Sequence, residues 1–285
     1  RELYANEIQW FFIYHTIFDQ WLEKINPKVV FVNCGYSLFH QSLIYTCNIK
    51  NIKTVELQHG LISDGHIQYS PSENIGKETF PQYLLTFSEY HSRFVNSNFI
   101  DSSNIYPIGH YYREQKIKRK NLACEKMVLD LRKKYKKIVL VSSQNIIEKE
   151  LINTVNKIAK KRPEHFFIFK SRNGSDINFN SANIVVNHQY TIYDIMPFID
   201  VNLSCFSTNI LETLSSQTIA ILMDFNNLAS VYFNTIKKDC NNIFIVQNST
   251  EAITILDRPL ENYKNPVFYK DNNKKNVKDF LKQIS

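Results

Sequence analysis

Short, continuous apolar runs recur along almost the whole chain, and they constrain its fold more than any other feature. The runs are rich in β-branched and aromatic residues and predict strands at 28–33, 53–57, 83–87, 104–108, 137–142, 166–170, 183–186, 201–204, 218–223 and 242–246. Because they are apolar throughout and do not alternate with polar residues, they are typical of strands buried on both faces of a parallel sheet.

Longer segments with helical spacing separate these strands. They predict helices at 6–24, 37–48, 89–98, 145–161, 208–216 and 273–284. Strands and helices that alternate in this way indicate an α/β, doubly wound architecture. The sequence therefore predicts two Rossmann-like domains facing each other across a cleft, with ligands bound beyond the carboxyl ends of the strands.

One basic stretch interrupts the pattern. Residues 113–137 contain eleven Lys or Arg and three Asp or Glu, an excess that accounts for the net charge of +7. We expect a first domain over 1–115, a solvated basic connection over 116–134, and a second domain over 135–285 whose last helix packs back on the first. Because the first residue is Arg1 and not Met, we also expect that a segment precedes it in the natural protein.

Composition excludes several classes of protein. Hydrophobic residues make up 44% and charged residues 21%, as in globular proteins and unlike disordered ones. The longest apolar stretch, residues 10–14, is far shorter than the ~20 residues of a membrane span, so any membrane contact would be peripheral. The aromatic residues of the first helix are expected mainly in the core, with a membrane anchor as the alternative.

Charge pattern and cysteine usage narrow the partners and the compartment. The basic stretch lacks the interleaved aromatic residues of nucleic-acid-binding modules, so nucleic acid is not expected as a partner. An anionic membrane surface is the alternative to a solvated connection. The five cysteines are an odd number without a C-x-x-C pair, which favours a reducing compartment such as the cytoplasm.

The loop after the second predicted strand carries the strongest signal of chemistry. In KTVELQHGLISDGHIQY, residues 53–69, a histidine and a glycine arrive together at the end of the strand. A histidine there can take a proton from a substrate hydroxyl, because its ordinary pKa of about 6.5 lies near neutral pH. The alternatives are a histidine bonded to a carbonyl in a tight turn, and a metal site formed by His59, Asp64 and His66.

A second candidate site lies within residues 188–224. Residues 200–204 predict a strand, 206–208 a turn and 209–216 a helix. Ser207 or Thr208 is a favourable N-cap, and the free backbone N–H groups at such a helix start suit a phosphate. An ordinary capped helix with no ligand explains this segment equally well. Neither G-x-G-x-x-G nor G-x-x-x-x-G-K-[ST] occurs, so a nicotinamide or P-loop enzyme would need an atypical phosphate loop.

The two segments together resemble a known class of enzyme. The S-T-x-x-x-E pattern at 207–212, the preceding YTIYDIMPFIDV and the following TIAILMD resemble the donor-binding half of GT-B fold glycosyltransferases. The segments LQHG, YLLTFSEYHSRFV and NIYPIGH resemble the acceptor half of bacterial surface-polysaccharide transferases of the capsule, lipopolysaccharide and teichoic-acid types.

This resemblance implies a function. It implies an inverting glycosyltransferase that needs neither a metal nor a cofactor and moves a sugar from a nucleotide-sugar donor to a hydroxyl of a surface glycan. The acceptor would be a glycan or a lipid-linked glycan, and the enzyme would work in the cytoplasm or at the inner face of the membrane. The alternatives are a polyol-phosphate transferase of the teichoic-acid type and a non-catalytic module that binds a nucleotide or a glycan.

The resemblance also implies site residues. His59 is the implied base, with His66 and Asp64 beside it. The implied acceptor-binding residues are Gln58, Gly60 and Tyr69. The implied donor-binding residues are Ser142, Ser143, Gln144, Lys170, Arg172, His188, Tyr190, Ser207, Thr208 and Glu212.

At one point the sequence departs from the family pattern. Many relatives continue the strand that ends at Lys170 with a Lys-x-His-Pro motif, whereas Ser171, Arg172, Asn173 and Gly174 follow here. The missing His-Pro argues against a cytidine-monophosphate donor of the sialic-acid or Kdo type. Lys170 or Arg172 could still neutralise a phosphate.

Overall fold

In the computed structural model the chain forms two compact units. The structure describes residues 2–73, 76–172, 177–216 and 218–284. The first unit comprises residues 1–110 and 268–285, and the second comprises residues 111–267. The basic stretch therefore belongs to the second unit, whereas the sequence places a connection over 116–134. The carboxyl-terminal segment, in turn, belongs to the first unit.

Each unit is built on a parallel sheet. In the described part of the first unit four strands pair in the order β1-β2-β3-β4. These are β1 (Val29–Val32), β2 (Lys53–Leu57), β3 (Tyr83–Thr86) and β4 (Ile105–Pro107). In the described part of the second unit six strands pair in the order β10-β9-β8-β5-β6-β7. These are β5 (Lys137–Ser142), β6 (His165–Lys170), β7 (Ile184–Val186), β8 (Val201–Ser204), β9 (Ile219–Met223) and β10 (Ile243–Val246).

The continuous apolar runs are strands for the reason that the sequence indicates. In β5, Val139 and Val141 pack into one core cluster, while Ile138 and Leu140 pack into another. Successive side chains of a strand point to opposite faces, so both faces of this strand are buried. The predicted α/β class with two parallel, Rossmann-like sheets is confirmed.

Helices cover the sheets. The helices of the first unit are α1 (Glu2–Ile25), α2 (Leu38–Ile49), α3 (Glu89–Ser92) and, from the end of the chain, α11 (Asn273–Ile284). Those of the second unit are α4 (Tyr111–Lys118), α5 (Leu122–Arg132), α6 (Glu148–Lys161), α7 (Ile192–Ile195), α8 (Asn209–Leu214), α9 (Leu228–Asp239) and α10 (Ser249–Leu256). The predicted helix over 89–98 is wrong beyond Ser92, because the chain there continues in turns such as the one closed by Asn96 and Phe99.

The basic stretch folds into helices where the sequence predicts a solvated connection. The side chain of Asn121 caps α5 by accepting from the backbone N–H of Cys124. Cys124 and Val128, four residues apart, lie on one face of α5 and are fully buried against β5 and β6. The many charges of this segment make its narrow apolar face hard to recognise in the sequence, but that face is enough to pack the helix against the sheet.

Helix α1 buries only part of its aromatic surface. Phe18 and Leu22 are buried, and Phe18 contacts Phe39 of α2. Trp10 and Trp21 are 51% and 56% exposed, so the expectation that the aromatic residues lie mainly in the core holds for one face only. None of the described helices is both long and apolar enough to cross a membrane.

The fold predicts a position that only glycine can occupy. Gly109 has a φ of +89°, and a Cβ there would press against the carbonyl oxygen of Lys270. Gly109→Ala should lower the free energy of unfolding by about 1–3 kcal/mol, because alanine rarely adopts this backbone conformation. The matched control is Gly60→Ala, since nothing lies within 4 Å of a Cβ at Gly60. Equal effects of the two substitutions in urea unfolding would contradict this assignment.

Candidate functional site

The loops that follow β1, β2 and β3 meet at the carboxyl edge of the first sheet. Gln58 joins two of them, because its Oε1 accepts from the backbone N–H of Phe87 at 2.6 Å and its Nε2 donates to the carbonyl of Gly60 at 2.8 Å. Both ends of this buried amide are therefore occupied within the unit. In the structure Gln58 links the loops after β2 and β3 by hydrogen bonds, whereas the resemblance implies that it contacts the acceptor.

His59 follows Gln58 and is exposed. Its Nε2 lies 3.1 Å from the hydroxyl of Tyr36 in the loop after β1. Partial desolvation by the surrounding side chains lowers the pKa of His59 below its ordinary 6.5, and the neighbouring imidazoles of His66 and His40 lower it further. The ring is therefore neutral at pH 7 and can accept a proton.

Beside His59, Gly60 leaves space that a substrate could enter. Nothing lies within 4 Å of a Cβ built on Gly60, and its φ is outside the left-handed region. This glycine is not needed to close the turn or to let two parts of the backbone approach. The opening next to an exposed imidazole fits the predicted approach of an acceptor.

His66 is held more firmly than His59. Its Nδ1 lies 2.9 Å from the carbonyl of Leu61. A carbonyl only accepts hydrogen bonds, so Nδ1 carries the proton and Nε2 keeps its lone pair in the neutral ring. Burial lowers the pKa of His66, and the hydrogen bond to Leu61 offsets part of that effect.

The alternative of a metal site in this loop has no support. Asp64 is exposed, three residues from the start of the short turn that holds Tyr69. Within the described ranges, no group of three or more His, Cys, Asp or Glu side chains is placed to hold a metal ion. The residues His59, Asp64 and His66 therefore do not form the ligand set that the sequence left open.

Tyr69 lies inside the unit. It is 1% exposed, and its hydroxyl donates to Oε1 of Glu56 at 2.7 Å. Its ring packs edge-on against His66, with the ring centroids 4.8 Å apart. The structure thus gives Tyr69 a supporting position beneath the loop, whereas the resemblance implies that it contacts the acceptor.

Glu56 is a residue that the sequence analysis missed. It lies in β2, is fully buried, and has no hydrogen-bond partner at Oε2. Desolvation raises the pKa of its carboxyl group, while the hydrogen bond from Tyr69 and the proximity of the Gly35 backbone oppose that rise. An acid within the apolar run TVEL was the signal that could have identified it.

The second unit places its polar residues at a topological switch point. The chain leaves β5 for β6 and β7 on one side and returns to β8 on the other. Loops that leave such a point in opposite directions open a crevice at the carboxyl ends of the strands, where α/β proteins bind ligands. Ser142 ends β5 and Ser204 ends β8, so both lie at this crevice.

Side chains that the sequence analysis missed support Ser142. Asn209 donates to the Ser142 hydroxyl at 2.6 Å, and that hydroxyl is 3.2 Å from the Asn202 amide oxygen. Ser204 donates to the backbone carbonyl of Ser142 at 2.7 Å. Asn202 lies in the middle of β8 and is fully buried, so a polar residue within an apolar run again marks the site.

Ser143 and Gln144 follow directly. Ser143 is 4% exposed, and its hydroxyl has no hydrogen-bond partner. Gln144 accepts from the backbone N–H of Phe206 at 3.2 Å and so holds the loop between β8 and α8. A buried hydroxyl with no partner is costly unless a ligand or a water molecule completes it.

Lys170 ends β6, and its ammonium group is occupied. It donates to the carbonyls of Asn187 and Tyr190 at 3.0 and 2.8 Å. Burial lowers the pKa of this lysine. Lys170 thus connects the end of β6 to the segment before α7. Arg172 and His188 are exposed, and Gly174 lies outside the described residues.

The turn before α8 differs from the prediction in one respect. Thr208 is the N-cap, but its side chain makes no capping hydrogen bond. Its backbone is already in the helical region, which explains why the hydroxyl does not reach the next turn. Ser207 is 6% exposed, and α8 has six residues, shorter than the predicted 208–216.

Glu212 is the most perturbed acid of the second unit among the described residues. It is 7% exposed, and Oε1 accepts from the hydroxyl of Tyr193 at 3.1 Å. Oε2 has no hydrogen-bond partner. Burial raises its pKa to about 7, against the opposing effects of Tyr193 and the charge of Arg113. A buried acceptor oxygen without a partner suits a ligand hydroxyl.

Comparison with known proteins gives the fold and no family. No protein-family model matches the sequence, and no curated protein matches it either. Solved structures of similar fold include S. aureus MnaA with UDP, at 10% identity and a TM-score of 0.66, over 97% of this chain and 82% of the other. A UDP-GlcNAc 2-epimerase from Methanocaldococcus jannaschii, with UDP-GlcNAc and UDP, has 13% identity and a TM-score of 0.65, over 95% and 80% of the two chains.

A plant enzyme has the same fold. Arabidopsis thaliana UGT89C1 with quercetin has 12% identity and a TM-score of 0.66, over 97% of this chain and 78% of the other. At these identities the likeness establishes the fold alone, which is the predicted GT-B type with its two Rossmann-like units.

The buried carboxyl group of Glu56 predicts a dependence of stability on pH. Its pKa is raised in the folded protein, so the unfolded state ionises first as the pH rises above about 4.5. Stability is therefore full below that pH and falls until the folded pKa is passed. Glu56→Gln removes this loss. Between pH 4.5 and pH 7.5 the variant should therefore lose less stability than the wild type, by about 1.4 kcal/mol for each unit by which folding raises the pKa of Glu56.

Urea unfolding at pH 4.5 and pH 7.5 measures this effect. The control is Glu73→Gln, because Glu73 is exposed and the exchange should leave the pH dependence unchanged. A difference between Glu56→Gln and the wild type that is the same at both pH values would contradict the assignment.

Proposed function

We propose that this chain is a glycosyltransferase that moves a sugar from a nucleotide-sugar donor to a hydroxyl of a bacterial surface glycan. The observation that carries the proposal is the neutral, exposed imidazole of His59 beside the open space at Gly60. Similar folds solved with UDP or UDP-GlcNAc support a nucleotide sugar as the donor. The segments that resemble capsule and lipopolysaccharide transferases support a glycan or lipid-linked glycan as the acceptor.

In the proposed reaction His59 removes the proton of the acceptor hydroxyl. The acceptor oxygen forms a bond to the anomeric carbon as the bond from that carbon to the leaving phosphate oxygen breaks. The proton ends on His59, and the nucleotide carries the electron pair away. A single in-line displacement inverts the anomeric configuration and needs no metal when N–H and O–H donors stabilise the leaving group.

The crevice of the second unit supplies the proposed donor site. The hydroxyls of Ser143, Ser207 and Thr208 and the backbone N–H groups near them would face the phosphates. Glu212 would accept hydrogen bonds from the ribose hydroxyls through its unpartnered Oε2. The exposed Arg172 is a better candidate than Lys170 to neutralise a phosphate, because two backbone carbonyls already bind the Lys170 ammonium.

A cytoplasmic site of action at the membrane is part of the proposal. Exposed basic side chains at the end of α4 and just after it, Lys118, Arg119 and Lys120, could attract an anionic membrane surface or an anionic lipid carrier. A polyol-phosphate transferase of the teichoic-acid type would use the same layout with a different donor.

Epimerisation of a nucleotide sugar is the second candidate, because a solved structure of similar fold is a UDP-GlcNAc 2-epimerase. An epimerase inverts a ring carbon, and its product is still a nucleotide sugar. A transferase leaves the ring carbons unchanged and releases the nucleotide. The two reactions therefore differ in which bond is finally broken.

His59→Asn should lower the transfer rate by about 10²–10⁴-fold, the contribution of a general base. Binding of the nucleotide should be unchanged, since the second unit carries the proposed donor site. Release of the nucleotide in the presence of acceptor measures the first effect, and calorimetric titration measures the second. His66→Asn is the matched control, and a loss of transfer in that variant alone would assign the base to His66.

Glu212→Gln should weaken the pH dependence of nucleotide binding and leave only the part due to the nucleotide's own phosphate. In the wild type the affinity for a nucleoside diphosphate should fall as the pH drops through about 7, because the protonated carboxyl group accepts ribose hydroxyls less well. Titration with UDP and the cytidine, guanosine and thymidine diphosphates between pH 5.5 and 8.5 measures this. Glu150→Gln, at an exposed position of α6, is the control. Equal pH dependence in wild type and Glu212→Gln would place the ribose elsewhere.

A further inference from the structure

Tyr36 lies at the centre of a cluster formed with His59, His66 and Tyr69. It follows Gly35 in the loop between β1 and α2, and its side chain is 37% exposed. Its hydroxyl lies 3.1 Å from His59 Nε2. Its ring also contacts His66 and Tyr69, with centroid distances of 5.6 and 6.4 Å. One aromatic side chain thus connects the proposed base to the second histidine and to the buried core.

Buried groups fix the position of Tyr36. The backbone at Gly35 passes so close to Glu56 that a Cβ there would collide with the carboxylate. Glu56 also accepts from Tyr69, whose ring contacts that of Tyr36. The loop therefore packs against two buried side chains, Glu56 and Tyr69, and the Tyr36 hydroxyl lies beside His59.

The hydrogen bond between Tyr36 and His59 can run in two directions with different consequences. If the phenol donates to Nε2, the neutral ring carries its proton on Nδ1, and neither nitrogen keeps a free lone pair. If Nε2–H donates to the phenol oxygen, Nδ1 keeps its lone pair and can act as a base. The second arrangement also survives protonation, because the imidazolium still donates from Nε2, and a charge-assisted hydrogen bond is the stronger one.

We propose that Tyr36 is a positioning residue for His59: its phenol oxygen accepts from Nε2–H, which leaves Nδ1 as the nitrogen that removes the acceptor's proton. This inference rests on the proposed function for its role in transfer. The proton passes from the acceptor hydroxyl to Nδ1, while the bond from Nε2 to Tyr36 stabilises the imidazolium that forms. Tyr36 thereby sets both the tautomer and the basicity of His59.

The other titratable groups near this pair do not replace Tyr36. His66 and His40 act on His59 through their charge, and both lower its pKa. His40 is itself bonded through Nδ1 to Ser37, and His66 through Nδ1 to Leu61. Cys34 and Glu56 lie near Tyr69, and Glu56 also lies next to Gly35, the residue before Tyr36. Among these groups the Tyr36 hydroxyl is the one that bonds to a ring nitrogen of His59.

Nitrogen-15 NMR of the histidine side chains tests the tautomer without any substrate. The signals of His59 among the eight histidines are identified by their loss in His59→Asn. In the wild type we expect neutral His59 to carry its proton on Nε2 and neutral His66 on Nδ1. Tyr36→Phe should lower the pKa of His59 by about one unit, since a charge-assisted bond to the imidazolium is lost, and should leave His66 unchanged.

In Tyr36→Phe we also expect a shift in the pH profile of catalysis, which a loss of structure would not produce. The acidic limb of the pH profile of kcat should move to lower pH by about one unit, and kcat at its plateau should fall about tenfold. Tyr83→Phe is the control, because Tyr83 contacts Tyr106 and Phe280 in the same unit and none of the histidines of the cluster.

Several results would overturn the assignment. They are a proton on Nδ1 of His59 in the wild type, an unchanged pKa in Tyr36→Phe, or a loss of activity at every pH with no movement of the acidic limb. If the NMR results are as expected and the wild type transfers no sugar from any donor, the tautomer assignment stands and the proposed function is wrong. The two failures are therefore distinguishable.

Discussion

The parallel pairing of β5 with β6 on one side and β8 on the other is the constraint on which the second unit depends. Parallel strands direct all their carboxyl ends to one edge, and the reversal of strand order at β5 opens that edge. Ser142, Asn202 and Asn209 then bond to one another across the opening. The crevice is thus a consequence of strand order. The side chains of Ser142, Asn202 and Asn209 determine which polar groups lie there.

The first unit follows the same rule with a different chemistry. Its loops also leave the carboxyl edge of a parallel sheet, but besides the amide of Gln58 they carry the imidazoles of His59 and His66 and the phenol of Tyr36. A carboxyl group buried in β2 supports them through Tyr69 and through its close approach to Gly35. Burying such a group costs stability unless hydrogen bonds offset it, so its presence beneath an exposed histidine favours a role in holding that loop.

Much of the fold could be predicted because burial on both faces leaves a direct trace in the sequence. The run at 137–142 and the helix at 273–284 have in the structure the bounds that the sequence predicts. Helix α5 could not be predicted in this way, since two buried residues four apart are lost among so many charges. The predicted helix at 89–98 is wrong after Ser92. The spacing there is helical, but the backbone hydrogen bonds close local turns and do not continue the helix.

The sequence indicates where the candidate residues lie along the strands, but not which side chains they contact. His59 and Gly60 follow the end of β2 and Ser142 ends β5, as the predicted strands place them. The partners of these residues come from distant parts of the chain. The contact of Tyr36 with His59 spans 23 residues and that of Asn209 with Ser142 spans 67, and no local pattern encodes them. Polar residues inside apolar strands, Glu56 and Asn202, were the one signal available.

The central claim is that the bond between sugar and nucleotide is broken while the sugar ring is unchanged. Proton NMR of the protein with a panel of nucleotide sugars in deuterated water tests it directly, because slow hydrolysis of the donor reports the same bond cleavage when no acceptor is present. The account predicts release of the nucleotide and a sugar that first appears with inverted anomeric configuration and no deuterium on its ring carbons. An intact nucleotide sugar with a ring carbon inverted or deuterated would contradict it.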